Sequence, residues 1–278
     1  MEILYIALGI FAALLLLYIL SLFSRPRRLR AAALMTLPFA HRGLHDAVLL
    51  ENSLAAFRAA VEAGVGIELD VQLSADGVLM VFHDDTLLRM TGREGKLSDL
   101  SFDELRALRL GNSEERIPTF AEVLTEVNGR VPLLVEVKYH NRINETCEKT
   151  AAHLDGYLGP YLMESFHPLA VRWFCKNRPG VVRGQLSACV CKSKRTLANF
   201  FVQSMVLNFL ARPDFIAYAV QDKKSLPFAL ARLWRPYTTA WTVRTEEELA
   251  VAEDFDQIIF ERIPASKALE AFGKKEKL

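Results

Sequence analysis

Short apolar segments with strand character alternate with helical segments along most of the chain. In its second half the strand-like segments are residues 161–166, 181–186, 215–220, 239–243 and 257–260, with helices between them, for instance at 245–252 and 265–272. This alternation predicts an α/β fold, in which a parallel sheet is packed against outer helices. So many repeats favour a closed (β/α)₈ barrel of the TIM type over an open sheet. Nine segments compete for eight strand positions, so one of them is a hairpin partner or not a strand.

The segment at residues 67–84, IELDVQLSADGVLMVFHD, has the pattern of a strand, a tight turn and a second strand. Glu68 and Asp70 are two residues apart, so their carboxylates share one face of the first strand. Gly77 suits the turn, and the second strand leads into His83. Carboxylates at this spacing suit a hard divalent cation, and an adjacent imidazole suits proton transfer at neutral pH. Taken alone, the segment also fits a surface hairpin with solvated charges.

Several other residues with useful chemistry fall at or near predicted strand ends. Functional groups of such barrels lie at the carboxyl ends of the strands. A core strand normally carries Val or Ile there, and buried charges require partners. The clustering therefore predicts one functional site, with the candidate residues His41, Arg42, Glu68, Asp70, His83, Glu136, Lys138 and Trp241.

The amino-terminal segment is the clearest change in composition. Residues 3–23 carry no charge and are long enough to span a bilayer. No Lys or Arg precedes them, whereas Arg25, Arg27, Arg28 and Arg30 follow. This asymmetry disfavours a signal peptide and predicts a single-pass membrane anchor with the remainder in the cytoplasm. We therefore divide the chain into a transmembrane anchor (1–24), a basic linker along the membrane surface (25–37) and a barrel (38–278). The barrel carries a small insertion after its third strand, at about residues 86–127.

A second apolar segment, residues 197–210, is flanked by Lys192, Lys194, Arg195 and Arg212. It is too short to span a bilayer. Two readings stay open, a buried barrel helix and an amphipathic helix that lies on the membrane with the barrel mouth near lipid. The second reading would make lipid-derived diesters candidate substrates. The net charge of +1 argues against nucleic acid as a main partner.

The order of short motifs strongly resembles the glycerophosphodiester phosphodiesterase family over residues 38–264. Each motif is weak alone, but their order and spacing are specific. The matching residues are His41-Arg42-Gly43, Glu51-Asn52-Ser53, Ile67-Glu68-Leu69-Asp70-Val71, Asp76-Gly77, Val81-Phe82-His83-Asp84, Ile117-Pro118-Thr119-Phe120, Glu136-Val137-Lys138, Ser165-Phe166 and Trp241-Thr242-Val243.

The resemblance implies a role for each candidate residue. Glu68, Asp70 and Glu136 match the family's metal ligands, an all-oxygen set proper to one Ca²⁺ or Mg²⁺. His41 and His83 match its catalytic acid/base pair. Arg42 can hold a phosphate, Lys138 adds positive charge, and Trp241 is either a substrate contact or a core residue. Asn52 or Ser53 is expected to cap the helix that follows, and Asn52 is expected to be a cap rather than a ligand-binding group.

The implied activity is metal-dependent hydrolysis of glycerophosphodiesters to glycerol 3-phosphate and an alcohol. Two alternatives stay open, namely lysophospholipase-D-like hydrolysis of lysolipids at the membrane and a membrane-tethered barrel that binds phosphodiesters without turning them over. The intact histidine pair argues against the last, since binding alone needs no acid and base. The sequence does not fix the metal, the head group, the oligomeric state or whether a cyclic phosphate forms.

One departure from the family concerns the last strand. Members often end it with Ile-Ile-Thr-Asp before a proline, whereas this chain has Phe260 and Glu261 in place of the Thr and the Asp. The change leaves the contribution of the last strand to the pocket open, and it does not touch the predicted metal ligands.

Overall fold

A computed structural model describes residues 1–24, 27–138, 140, 142–192 and 195–273. Its strands are β1 (Phe39–Ala40), β2 (Gly66–Leu73), β3 (Leu79–Val81), β4 (Leu133–Val137), β5 (Tyr161–Ser165), β6 (Arg183–Ser187), β7 (Phe215–Ala219), β8 (Tyr237–Val243) and β9 (Gln257–Phe260). Its helices are α1 (Glu2–Ser21), α2 (Arg28–Leu34), α3 (Leu54–Glu62), α4 (Leu88–Thr91), α5 (Phe102–Ala107), α6 (Phe120–Val127), α7 (Ile143–Asp155), α8 (Pro168–Asn177), α9 (Leu197–Ser204), α10 (Asn208–Ala211), α11 (Leu226–Ala231), α12 (Glu246–Val251) and α13 (Ala265–Phe272).

Eight parallel strands close into the predicted barrel. β1 pairs in parallel with β2 on one side and with β9 on the other, which completes the ring. β3 pairs antiparallel with β2 through Val71 and Val81, so it stands outside the ring. The ninth strand candidate is thus a hairpin partner. The short turn at Gly77, whose φ is +83°, makes this hairpin possible without an intervening helix.

The barrel interior is apolar at the amino-terminal end of the strands. Inward-facing side chains such as Phe39, Leu134 and Phe215 form one core cluster with Ala31 and Met35 of the α2 segment. This segment was expected to lie along a membrane surface as a basic linker, but it instead covers the floor of the barrel. Its position is explained by tertiary ion pairs, because Arg27 binds Asp214 and Arg28 binds Asp256 at the bottom of the barrel. Arg25 of the predicted linker lies outside the described residues.

The segment after β3 has a small core of its own. Phe82, Leu87, Leu105 and Ile117 belong to this separate cluster, whereas Phe120 of α6 packs in the main core between strands and outer helices. α6 thus packs as an outer helix of the barrel, although it lies within the expected insertion at 86–127. The division of the chain into domains stays a prediction.

The apolar segment 197–210 differs from both of its expected forms, because it is not one helix. α9 ends where Met205 adopts a left-handed conformation with φ of 52°, and α10 follows after a turn. Within α9 only Ser204 is buried, and Phe200 is 54% exposed. The segment is therefore neither a buried barrel helix nor a continuous amphipathic one.

The amino-terminal helix α1 has 20 residues, none of them buried, and is apolar and long enough to cross a membrane. The same description fits a signal sequence. Its end is attached to the barrel, since the Tyr18 hydroxyl donates to the Ser204 carbonyl at 2.9 Å and the Trp234 indole donates to the Ile19 carbonyl at 2.8 Å. Leu22 after the helix is fully buried.

The buried pairing at the barrel floor leads to a stability prediction. Asp214 is fully buried between Arg27 and the equally buried Arg183. The substitution Asp214→Asn should lower the free energy of unfolding by roughly 3–5 kcal/mol, because the guanidinium groups that Asp214 pairs with lose their countercharge. Chemical denaturation of the detergent-solubilised protein measures this.

The matched control is Asp155→Asn, which breaks the solvent-exposed pair between Asp155 and Arg178. We expect it to leave unfolding almost unchanged, since exposed pairs are screened by solvent. Equal effects of the two substitutions would contradict the account of the barrel floor.

Candidate functional site

The carboxyl ends of the strands surround one polar cavity. Six of the eight predicted site residues line it, and the other two, Asp70 and Lys138, are buried in contact with them. The cavity is lined by His41, Arg42, Glu68, His83, Glu136, Glu164, Phe166, Leu186, Trp241, Thr242, Arg244 and Ile259. The sequence-predicted residues therefore converge on one site.

Three carboxylates lie at its centre. Glu68 and Asp70 come from β2, and Glu136 lies beside Asp70 because the strand register pairs these two residues. One oxygen from each carboxylate lies within 4.8 Å of the others, and the residues are only 1%, 1% and 6% exposed. Ligand oxygens at about 2.0–2.6 Å from one Ca²⁺ or Mg²⁺ have such separations. The geometry and the all-oxygen chemistry of the group fit a single hard divalent cation.

The electrostatics of this cluster also fit a cation. Burial, together with the neighbouring Asp70, Glu136 and Glu164, raises the pKa of Glu68 well above its ordinary value. Burial raises the pKa of Glu136 as well, although Lys138 opposes this. For Asp70 burial acts in the same direction, but Lys138, His83 and Arg42 outweigh it and hold its pKa well below the ordinary value. A divalent cation among these groups would relieve their mutual repulsion.

Lys138 is a buried countercharge rather than a solvated strand end. Its ammonium nitrogen is 2.8 Å from Asp70 Oδ1 and 2.7 Å from Glu136 Oε1, and the residue is 5% exposed. Burial lowers the pKa of this lysine, but the two carboxylates outweigh burial and raise it overall. Lys138 thus stays charged and fixes two of the three carboxylates.

The Glu51-Asn52-Ser53 motif supports the same centre. Ser53, not Asn52, caps α3 by accepting a hydrogen bond from the Ala56 amide. Of the two residues predicted as possible caps, Ser53 is therefore the cap, whereas Asn52, 2% exposed, donates to Asp70 Oδ2 at 2.9 Å. Glu51 accepts from the Arg42 guanidinium at 2.8 Å.

Arg42 connects the rim to the carboxylates. Its backbone amide donates to Glu68 Oε2 at 2.9 Å, and its guanidinium Nε lies 3.5 Å from Asp70 Oδ2. The residue takes a left-handed conformation with φ of 56°, which turns both groups toward the site. Its positive charge therefore faces the position where an anionic substrate would meet the cavity.

The last strand does contribute to the pocket, through the residue that departs from the family pattern. Glu261 Oε2 lies 2.6 Å from His41 Nδ1, and Glu261 Oε1 accepts from Arg244 at 2.5 Å. His45 Nε2 lies 3.6 Å from the same carboxylate. Because Nδ1 of His41 is held by Glu261, its Nε2 is the nitrogen left to face the cavity. Burial lowers the pKa of His41 to about 4, although Glu261 acts in the opposite direction.

His83 has a similar arrangement. Its Nδ1 lies 2.7 Å from Asp84 Oδ1, and Asp84 Oδ2 accepts from Arg89 at 2.6 Å. Burial alone would raise the pKa of Asp84, but His83 and Arg89 lower it overall. Each imidazole of the candidate pair is therefore oriented by its own carboxylate.

A fourth carboxylate, Glu164, was missed by the sequence reasoning. It lies on β5 beside Glu136 in the register, is 1% exposed, and its Oε2 has no hydrogen-bond partner among the described residues. Burial and the neighbouring carboxylates raise its pKa well above the ordinary value. The available signal was a single acidic residue in an otherwise apolar strand, directly before Ser165-Phe166.

Two aromatic side chains, Phe166 and Trp241, form part of the cavity wall. The Trp241 ring packs edge-on against Phe166, with centroids 5.3 Å apart. Its indole nitrogen is buried and has no hydrogen-bond partner within the part of the chain that the structure describes. The Trp241 side chain therefore lines the cavity and also packs against the barrel core.

Comparison with known proteins agrees with this arrangement. The model of the glycerophosphoryl diester phosphodiesterase family matches residues 41–256. A putative glycerophosphodiester phosphodiesterase of Bacillus subtilis is 40% identical over 179 residues, which cover 58% of this chain and 73% of that protein. The mouse glycerophosphodiester phosphodiesterase 1 is 43% identical over 112 residues, but the match covers 36% of this chain and only 33% of the mouse protein.

Solved structures show the same fold. A phosphodiesterase of Oleispira antarctica, in complex with the product sn-glycerol-3-phosphate, superposes with a TM-score of 0.73 at 23% identity. The superposition covers 88% of this chain and 99% of that one. At this identity the likeness establishes the barrel fold.

The position of Glu164 leads to a test of the cation site. Glu164→Gln removes a carboxyl group that a cation bound beside Glu136 would favour in its ionised form, so we expect Mg²⁺ or Ca²⁺ to bind roughly 10–100-fold more weakly. Isothermal titration calorimetry on the metal-stripped protein measures the affinity. Glu148→Gln, which changes an exposed acid on α7, is the control and should bind as the parent does. An unchanged affinity in Glu164→Gln would show that this carboxylate does not act on the cation.

Proposed function

The chain belongs to the glycerophosphoryl diester phosphodiesterase family, and we propose that it hydrolyses glycerophosphodiesters to glycerol 3-phosphate and an alcohol. One observation carries the proposal: a buried cluster of three carboxylates lies beside two imidazoles, each fixed by its own carboxylate, around a single cavity. A site that only bound phosphodiesters would need neither a proton acceptor nor a proton donor. The names of the relatives support the same reaction.

Charge balance explains how the site would hold an anionic diester. The ligand carboxylates Glu68, Asp70 and Glu136 are accompanied by the two buried or half-buried cations Lys138 and Arg42. One divalent cation, Ca²⁺ or Mg²⁺, held by these carboxylates would make this inner set positive overall and would polarise a phosphoryl oxygen. Arg42 and the Trp241 ring contact the substrate from the rim in this proposal.

His41 is the proton acceptor in the proposed reaction. With a pKa of about 4 it is neutral at pH 7, and its cavity-facing nitrogen can take the proton of the attacking hydroxyl group. As this oxygen bonds to phosphorus, the bond from phosphorus to the alcohol oxygen breaks, and His83 supplies the proton that the leaving alcohol needs. Glu261 and Asp84 hold the two rings in place. The attacking group is either water or a hydroxyl of the substrate glycerol, in which case water then opens a cyclic phosphate.

A lysophospholipase-D-like activity on lysolipids is the second candidate. It is favoured by the apolar helix α1, which we propose as a single-pass membrane anchor. The excess of arginine directly after α1 supports a cytoplasmic catalytic domain. Arg27 and Arg28 also pair with the barrel, so the charge of this segment serves the fold as well.

Activity is tested with the full chain purified in detergent. We expect release of glycerol 3-phosphate from glycerophosphocholine, its loss in EDTA, and its recovery with Mg²⁺ or Ca²⁺. A parallel assay with lysophosphatidylcholine decides between the two substrate classes. His41→Ala should lower kcat by roughly 10²–10⁴-fold, the usual contribution of an acid/base group. Activity that resists EDTA, or that survives in His41→Ala, would refute the mechanism.

The role of Glu261 is tested by the pH dependence of kcat/KM. Because protonated His41 cannot accept a proton, activity should fall as the pH drops through about 4. Glu261 stabilises the imidazolium, so Glu261→Gln should move this acidic limb to still lower pH and lower the rate by roughly 10²–10⁴-fold. Glu261→Asp keeps the charge and serves as the conservative control.

We expect Glu261→Asp to retain more activity than Glu261→Gln and to leave the acidic limb near its parental position. If the Asp and Gln variants have the same rate and the same limb, Glu261 does not position His41.

A further inference from the structure

The end of α1 packs directly on the barrel. We define the anchor root as residues 18–23, which pack directly on the domain. Tyr18 binds the carbonyl of Ser204, the ring of Phe23 packs edge-on against Trp234 at 5.0 Å, and Leu22 is fully buried. The domain therefore cannot move away from α1 as it would on a free tether.

The length of α1 fixes the depth of these contacts if the helix spans a bilayer. Its 20 residues extend about 30 Å, which equals the thickness of the hydrocarbon core. The anchor root then lies at the lipid–water interface, and so do the residues that it touches. Tyr18 and Trp234 are the residue types that favour this level.

Three exposed apolar side chains lie on the elements that make these contacts, and we call them the apolar collar: Phe200, Phe209 and Leu233. They are 54%, 45% and 63% exposed. Phe200 lies one helical turn before Ser204, Leu233 directly precedes Trp234, and Phe209 lies on α10, which packs against α1. Exposed apolar residues are ordinarily scattered singly. Three of them beside one anchor therefore indicate a surface that is covered by a partner or by lipid.

Exposed arginines lie next to the collar. Arg212 follows α10, and Arg232 and Arg235 bracket Leu233 and Trp234. Apolar tips with adjacent basic side chains are the pattern of a surface that sits in the headgroup region of an anionic leaflet. The charge complements lipid phosphates, which a second copy of the same basic surface would not supply.

We propose that the apolar collar inserts into the membrane interface, so that the barrel rests on the bilayer with the side formed by α9, α10 and the segment 232–234. The proposal depends on α1 spanning a membrane and is independent of the enzymatic activity. It also gives a function to the break at Met205, because two short helices can present Phe200 and Phe209 around the anchor root.

The test uses the full chain in phosphatidylcholine–phosphatidylserine vesicles whose acyl chains are brominated near the headgroup. Bromine quenches tryptophan only at short range. We expect the fluorescence added by Phe200→Trp and by Leu233→Trp to be strongly quenched. The matched control is Leu88→Trp on α4, which is also 54% exposed but lies in the insertion after β3, and should not be quenched. A fourth variant, Leu14→Trp, is measured in vesicles whose acyl chains are brominated near their ends, and it reports insertion of α1 itself.

Quenching of Phe200→Trp and Leu233→Trp no greater than that of Leu88→Trp would overturn the proposal. So would an unquenched Leu14→Trp, because α1 would then not lie in the bilayer. The fluorescence of the collar variants could also be insensitive to bromine but change with the protein-to-lipid ratio. This result would assign the collar to a contact between two copies, which also contradicts the proposal.

Discussion

The structure depends on the burial of several carboxylates at one end of a parallel barrel. Each buried ion costs on the order of several kcal/mol in lost hydration unless partners compensate it. Here the compensation is built from the chain itself, since Lys138 lies between Asp70 and Glu136, and Asn52 donates to Asp70. Glu68 and Glu164 keep pKa values well above the ordinary ones, so the compensation is incomplete. A bound divalent cation would complete it, and this would link the stability of the site to its proposed chemistry.

The rest of the fold prepares this arrangement. The closed ring of strands places β2, β4 and β5 side by side, so that Asp70, Glu136 and Glu164 share one layer through the strand register. The floor of the barrel is closed by Met35 and the α2 segment, and the polar cavity lies at the carboxyl ends of the strands. At that rim Glu261 and Asp84 each fix the Nδ1 atom of a histidine, which leaves the Nε2 atoms for the proton transfer proposed above.

Much of this could be predicted from the sequence because the relevant signals are local. Alternating strands and helices predicted the barrel, and residues at strand ends predicted the eight members of the site, which do converge. The features that were missed depend on distant contacts. Glu164 has no local pattern that tells an inward from an outward position, and the basic α2 segment is drawn to the barrel floor by Asp214 and Asp256. The longer side chain of Glu261 still reaches His41, which no motif comparison could establish.

The most direct test of the account is the position of a bound cation. Crystals of the full chain soaked with Mn²⁺, which takes oxygen ligands as Mg²⁺ and Ca²⁺ do, would locate it by anomalous scattering. We predict one strong peak within about 2.0–2.6 Å of an oxygen of each of Glu68, Asp70 and Glu136. A peak between His41, His45 and Glu261 instead, or no peak at the three carboxylates, would contradict the account.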